Sequence, residues 1–222
     1  MKTRVPAFII PMLVFFCLTA NAQEGGPVGH AQSVHGSVDA RQPGRDARLL
    51  AAAACVYRAD VVRTAAAARA QFQFLDQSVL VMDAETEIAL SEYVYAYDNP
   101  PDANAMVVTG SVGVFRFITG KMAQKRPESF TVQTPLLDIG VRGTDIGVSV
   151  TAGSGRLSVL SGGPALVTDR EFGTTAEVAA GQSVSKERGQ TMGAPQATPP
   201  AVTEVFNTLS PAPADPDAGG GC

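Results

Sequence analysis

Residues 132–150 read VQTPLLDIGVRGTDIGVSV, and a change of phase inside them decides the fold. Apolar side chains alternate at Leu137, Ile139 and Val141, then resume at Ile146, Val148 and Val150 on the opposite parity. Side chains on a β-strand repeat every two residues, so the shift calls for an extra residue, a bulge or a tight bend. Gly140, Gly143 and Gly147 permit it, because glycine accepts positive φ and close backbone approach. The bend is expected to bring Arg142 and Asp145 together, a five-donor fork beside a carboxylate. Such a pair either pins the corner of a β-domain or presents a charged site there.

Strand signals continue on both sides. Residues 107–122 read as two strands punctuated by Gly110, Gly113 and Gly120, with Phe115 and Phe117 pointing one way and Arg116 the other. Before them, residues 79–97 carry Tyr93, Tyr95 and Tyr97 as an aromatic stripe, which covers the edge of a core or binds a sugar or peptide. Residues 98–104, with Pro100 and Pro101, form a loop. After the central stretch, turns at 152–155 and 161–164 flank short strands at 157–160 and 165–168.

Residues 48–74 are harder to read. The alanine runs at 51–54 and 65–68 favour helix by propensity. Val56, Val61 and Val62, and the alternation Gln71-Phe72-Gln73-Phe74, favour strands, with alanines filling a tight interior. Short strands are the expectation. Residues 23–33 read as a flexible segment, and the first strand is expected at 34–40.

A chain of 222 residues with 45% hydrophobic and 17% charged residues can bury one sizeable core. Its 22 glycines and 15 prolines favour turns over long helices. The formal charge of −4, without a long basic run, argues against a nucleic-acid partner. Lys2 and Arg4, a broken apolar run and Ala20-Asn21-Ala22 make residues 1–22 a signal peptide, and the mature chain is expected to be periplasmic or secreted and not membrane-spanning. Of Cys17, Cys55 and Cys222, the last two survive cleavage. A buried free Cys55 is the plainer expectation, although an oxidising compartment allows a bridge.

Residues 189–222 are a Pro/Gly-rich tail. A short helix at 199–209 is expected to interrupt it, with Thr198 as cap and Val202, Val205, Phe206 and Leu209 on one face. So short a helix should dock on the β-domain.

The run TVQTPLLDIGVRGTDIGVSV resembles the signature of the FecR domain family through Thr134, Pro135, Ile139, Gly140, Val141, Arg142, Gly143, Thr144 and Asp145. Phe115, Arg116, Phe117, Thr119 and Gly120 are similar to its G-x-F-R-F-x-T-G element. Residues 55–60 and 74–81 are similar to its G-D and F-x-D-G-S positions, except that Ala59 and Gln77 stand in place of glycine. The resemblance implies an all-β single domain at 34–188, β-solenoid-like or a rolled β-sheet. It also implies an exported module that senses the state of an outer-membrane transporter and relays it to a sigma factor. Here only four residues precede the apolar run, and the tail is short, so the expectation is a module that does not itself carry a signal across the inner membrane.

No nucleophile with its base can be assembled, since His30 and His35 precede the core and no serine sits in an elbow context. Neither a metal set nor a phosphate-cradling loop appears, so no cofactor and no enzymatic activity are expected. The expected role is protein recognition or signalling in the envelope, with an envelope protein as partner. The alternative is a structural or glycan-binding module using the tyrosine stripe or the Arg142 corner.

Overall fold

The computed structural model describes residues 26–95, 104–125 and 129–212. Among them the elements run β1 (Pro27–His35), β2 (Val38–Arg41), β3 (Arg48–Leu49), β4 (Cys55–Tyr57), β5 (Val61–Thr64), β6 (Arg69–Phe74), β7 (Val79–Met82), β8 (Glu87–Val94) and β9 (Ala105–Ile118). After α1 (Lys121–Lys125) follow β10 (Phe130–Gln133), β11 (Leu137–Val141), β12 (Thr144–Val150), β13 (Ser154–Gly162), β14 (Ala165–Asp169), β15 (Thr175–Val178), β16 (Gln182–Glu187), β17 (Gln196–Ala197) and α2 (Pro200–Asn207). The fold is all-β, as expected.

One strand joins everything. The first half of β9 pairs with β8 and, in parallel, with β10, while its second half pairs with β7 and β12. The continuous sheet is thereby folded into two limbs. The first is ordered β4-β1-β6-β7-β9-β12-β13-β16-β17, and the second β3-β2-β5-β8-β9-β10-β11-β14-β15. Gly113, at φ +108°, marks the crossing, and a Cβ there would lie 2.2 Å from Thr86 Oγ1. Residues 107–122, read as two strands, are thus mainly one bent strand followed by α1.

The core lies between the limbs. Phe74 of the first limb stacks on Tyr93 of the second at 5.9 Å, and Phe117 stacks on Phe130 at 4.4 Å. The phase change in residues 132–150 now has its cause. Strand β11 belongs to the second limb and β12 to the first, so the chain must turn at Arg142 and Gly143 for both to face one core. Gly143 takes φ +63°, and the pairing of β12 shifts between Asp145 and Ile146.

Residues 48–74 are short strands, but of the two alanine runs only Ala68 is buried in the core, with Ala54 packed against it. Ala51, Ala52, Ala53, Ala65, Ala66 and Ala67 lie exposed in turns, where Ala53 and Ala67 have φ of 63° and 58°. Strand β1 occupies much of the segment expected to be flexible, and Gly36 separates it from β2 in the other limb. Cys55 is disulfide-bonded rather than free, with its partner outside the described residues. The tail contributes β17 and α2. Pro199, not Thr198, caps α2, and no side chain caps it. Residues 1–22 and most of the loop at 98–104 lie outside the described residues.

Candidate functional site

Most of the motif positions build the frame. Asp60, fully buried, accepts two bonds from Arg48 at 2.9 and 2.5 Å and one from Tyr57 N at 2.8 Å. Asp76 accepts from Ser78 Oγ at 2.6 Å, and Ser78 Oγ in turn accepts from Gly120 N at 2.9 Å. A Cβ on Gly120 would stand 2.2 Å from the carbonyl oxygen of Asp76, so glycine is required there. Thr144 N donates to Thr119 Oγ1 at 2.7 Å, and Thr144 Oγ1 donates to Gly163 O at 3.1 Å. Thr134 Oγ1 closes the turn over exposed Pro135 by accepting from Leu137 N at 2.9 Å. These buried polar groups are satisfied, as burial demands.

The corner does not hold the expected pair. Asp145 points to the outer face of the first limb and is paired with Arg116, whose Nε and Nη2 reach Oδ1 and Oδ2 at 2.9 and 2.7 Å. Both partners are nearly buried, at 13% and 12% exposure. The reason is strand parity. Arg116 faces away from Phe115 and Phe117, Asp145 away from Ile146, and β9 and β12 are neighbours. That signal was present in the alternation of both segments. Arg142 is instead exposed at the turn, and no ion pair holds it among the described residues. It borders a depression of about 470 Å³ on the outer face of the second limb, with Gly140, Leu166 and Glu177. Gly140 leaves the floor open and Leu166 is 56% exposed, so the depression is partly apolar with a cation at its edge.

The tyrosine stripe is divided. Tyr93 is buried, and its hydroxyl accepts from Asp76 N at 3.0 Å. Burial, and next the Asp76 charge, push its phenol far above the ordinary value. Its ring is core and offers no sugar-stacking platform. Tyr95 is half-buried beside it, at 6.5 Å, and Tyr97 lies outside the described residues.

A second buried charge cluster escaped the sequence reading. Lys186 and Asp169 are both fully buried, 3.5 Å apart, and Lys186 Nζ reaches Glu171 at 2.5 Å and lies 4.7 Å from the Phe172 ring centre. Burial raises the Asp169 carboxyl, but amide bonds from Glu171, Phe172 and Met192, with the Lys186 charge, outweigh it and hold the group below its ordinary value. The bond from Lys186, then that from Gly189 N, lowers Glu171. The signal was parity again, since Lys186 continues the inward phase of Val184, and Asp169 that of Ala165 and Val167.

Helix α2 lies on the outer face of the first limb. Phe206 is buried against Gly147, where a Cβ would fall 2.4 Å from its ring, and Val81 and Leu209 complete the cluster. Arg116 Nη1 donates to Phe206 O at 3.1 Å, and Arg69 Nη1 to Thr208 O at 2.7 Å. Ala212 N donates to Gln71 Oε1 at 2.9 Å. Carbonyls at the helix C-terminus thus receive cationic donors, Phe206 O in addition to its bond from Leu209 N. Among the described residues no cluster of His, Cys, Asp and Glu could hold a metal, and no helix is long and apolar enough to cross a membrane.

The family described as FecR protein matches residues 60–163, from Asp60 to the glycine whose carbonyl receives Thr144. This stretch is a FecR domain. It runs from β5 past the end of β13, and the strands outside it complete both limbs. A candidate anti-sigma factor from Parabacteroides distasonis ATCC 8503 shares the fold of this chain with a TM-score of 0.51 and 15% identity, over 66% of this chain and 64% of that one. A second structure of a candidate anti-sigma factor from the same organism gives 0.48 and 16%, over 62% and 59%. The chain thus spans less than two thirds of these solved proteins. No curated protein matches it significantly.

Proposed function

We propose that the protein is an exported, non-enzymatic FecR-domain module for protein recognition or signalling in the bacterial envelope. The FecR match over residues 60–163 carries this reading. The motif adds detail to it. Asp60, Asp76, Gly120, Thr144 and Asp145 are absorbed by the frame, whereas Arg142 stands exposed at the edge of an open depression and remains available to a partner. The leader at residues 1–22 supports a periplasmic or secreted location.

In-cell crosslinking and pull-down of the mature protein, read by mass spectrometry, tests it. The expected result is one envelope protein recovered with the wild type and lost with Arg142→Ala, whose melting temperature stays unchanged. Recovery of no protein, with retention on cell-wall polysaccharide, would overturn the reading.

A further inference from the structure

We propose that the outer face of the first limb is a docking surface for an amphipathic helix of a partner protein, and that α2 is its displaceable resident. This deepens the protein-recognition reading and rests on it. The surface has a cup and a rim. Gly147 floors the cup directly opposite Arg116 on the neighbouring strand, and Val81, Val79, Val114 and Leu160 wall it. At the rim, Arg116 and Arg69 donate to the carbonyls of Phe206 and Thr208. The surface therefore reads one aromatic ring and the C-terminal carbonyls of a helix, which any amphipathic helix with an aromatic in its last turn presents. Both arginines are already neutralised, Arg116 by Asp145 and Arg69 by Asp83, so the rim does not select a polyanion.

The resident fits this surface incompletely. Helix α2 has eight residues, no side-chain cap, no acidic residue in its first turn and no basic residue in its last. Val205, one of its four apolar anchors by periodicity, is 44% exposed. Open space of about 390 Å³ adjoins the helix beside Val114 and Val202, and about 380 Å³ beside Arg116 and Asn207. Two turns of helix are unstable alone, so part of the docking free energy is consumed in ordering α2. A longer, preformed helix would fill the flanking space without that cost.

The test uses the full chain and a fluorescent peptide of residues 198–212, TPPAVTEVFNTLSPA, stapled across positions 201 and 205, both exposed in α2. Fluorescence anisotropy should show at least tenfold tighter binding to Phe206→Ala, whose cup is vacated, than to wild type. Adding Gly147→Leu should abolish binding by filling the cup. Equal affinity for wild type and Phe206→Ala, or binding that survives Gly147→Leu, would overturn the proposal. Should Phe206→Ala fail to unfold cooperatively, Val202→Asp releases α2 in the same assay and is judged by the same criterion. The peptide needs no cellular partner. Its failure would leave the pull-down result standing, and a failed pull-down would leave the peptide result standing.

Discussion

Arg116 grips both carboxylate oxygens of Asp145, diagonally across β9 and β12, at 2.9 and 2.7 Å. Its cross-strand neighbour Gly147 leaves room beside it for the Phe206 ring. The same guanidinium thus ties two central strands together and receives the end of α2.

Removing one member of this pair leaves the other nearly buried and uncompensated. Arg116→Ala is expected to cost about 3 kcal/mol in urea unfolding, in the range for broken buried pairs. Arg142→Ala, at an exposed turn without an ion pair, should stay within about 0.5 kcal/mol of wild type. Equal costs for the two would refute the assignment of Asp145 to Arg116.

Ala59 and Gln77 stand where the FecR pattern has glycine, and both take left-handed backbone, φ 66° and 68°. An L-residue pays about 1 kcal/mol or more for that conformation, while glycine adopts it freely but loses more entropy on folding. Ala59→Gly and Gln77→Gly should therefore each stabilise the protein, by about 0.5 kcal/mol. Gly120→Ala should do the opposite and abolish cooperative unfolding, because its Cβ would collide with Asp76 O. Calorimetric melting of the three variants decides this, and a lowered midpoint for both glycine variants would contradict it.

Parity carried most of what the sequence made legible. The alternation around Ile139 and Val148 showed a strand, a corner and a strand, and the opposed faces of Phe115 and Arg116 placed the outer side of β9 correctly. What it could not supply was which strands become neighbours, and the Arg142–Asp145 expectation failed for that reason. Closeness along the chain is not closeness in space, and β9 delivers Arg116 to Asp145 from 29 residues away. The alanine runs misled in another way. Propensity favours helix and packing favours interior, but most of these alanines sit in turns between the limbs, where Ala53 and Ala67 take positive φ just as Glu85 does between β7 and β8. The docking of α2 was legible from its apolar spacing, whereas its seat on Gly147 required the folded sheet.

Asp169 and Glu171, both bonded around Lys186, couple stability to pH. The Asp169 carboxyl is held below its ordinary value of 3.8, and Glu171 below 4.5. A depressed folded value stabilises above the unfolded one, and that contribution disappears as pH falls through the folded value. The melting temperature should therefore drop as pH is lowered from about 5 toward 3, where unfolded carboxyls take up protons. Asp169→Asn should flatten this dependence and lower the melting temperature at neutral pH. An unchanged acid slope in that variant would show that other carboxylates carry the effect.

Cys55 is disulfide-bonded, and the other cysteines of the chain are Cys17 and Cys222. Cleavage after Ala22 would leave Cys222 as the partner available within residues 23–222. The described tail already heads the right way. It crosses from Gly147 on β12 to Arg116 on β9 and to Gln71 on β6, where Ala212 is held, and Gln71 bonds Gln32 on β1, the strand beside β4 and Cys55. Neighbouring strands are about 4.8 Å apart, so the remaining lateral distance of two strands, about 10 Å, is short for the chain that follows Ala212. Non-reducing peptide mapping of the mature protein should recover a fragment linking Cys55 to Cys222. Cys55→Ser should lower stability by about 2 to 4 kcal/mol, as expected when a long loop is opened. A mature chain with Cys55 free, or linked only to a second molecule, would remove this clasp from the account of how α2 is held in place.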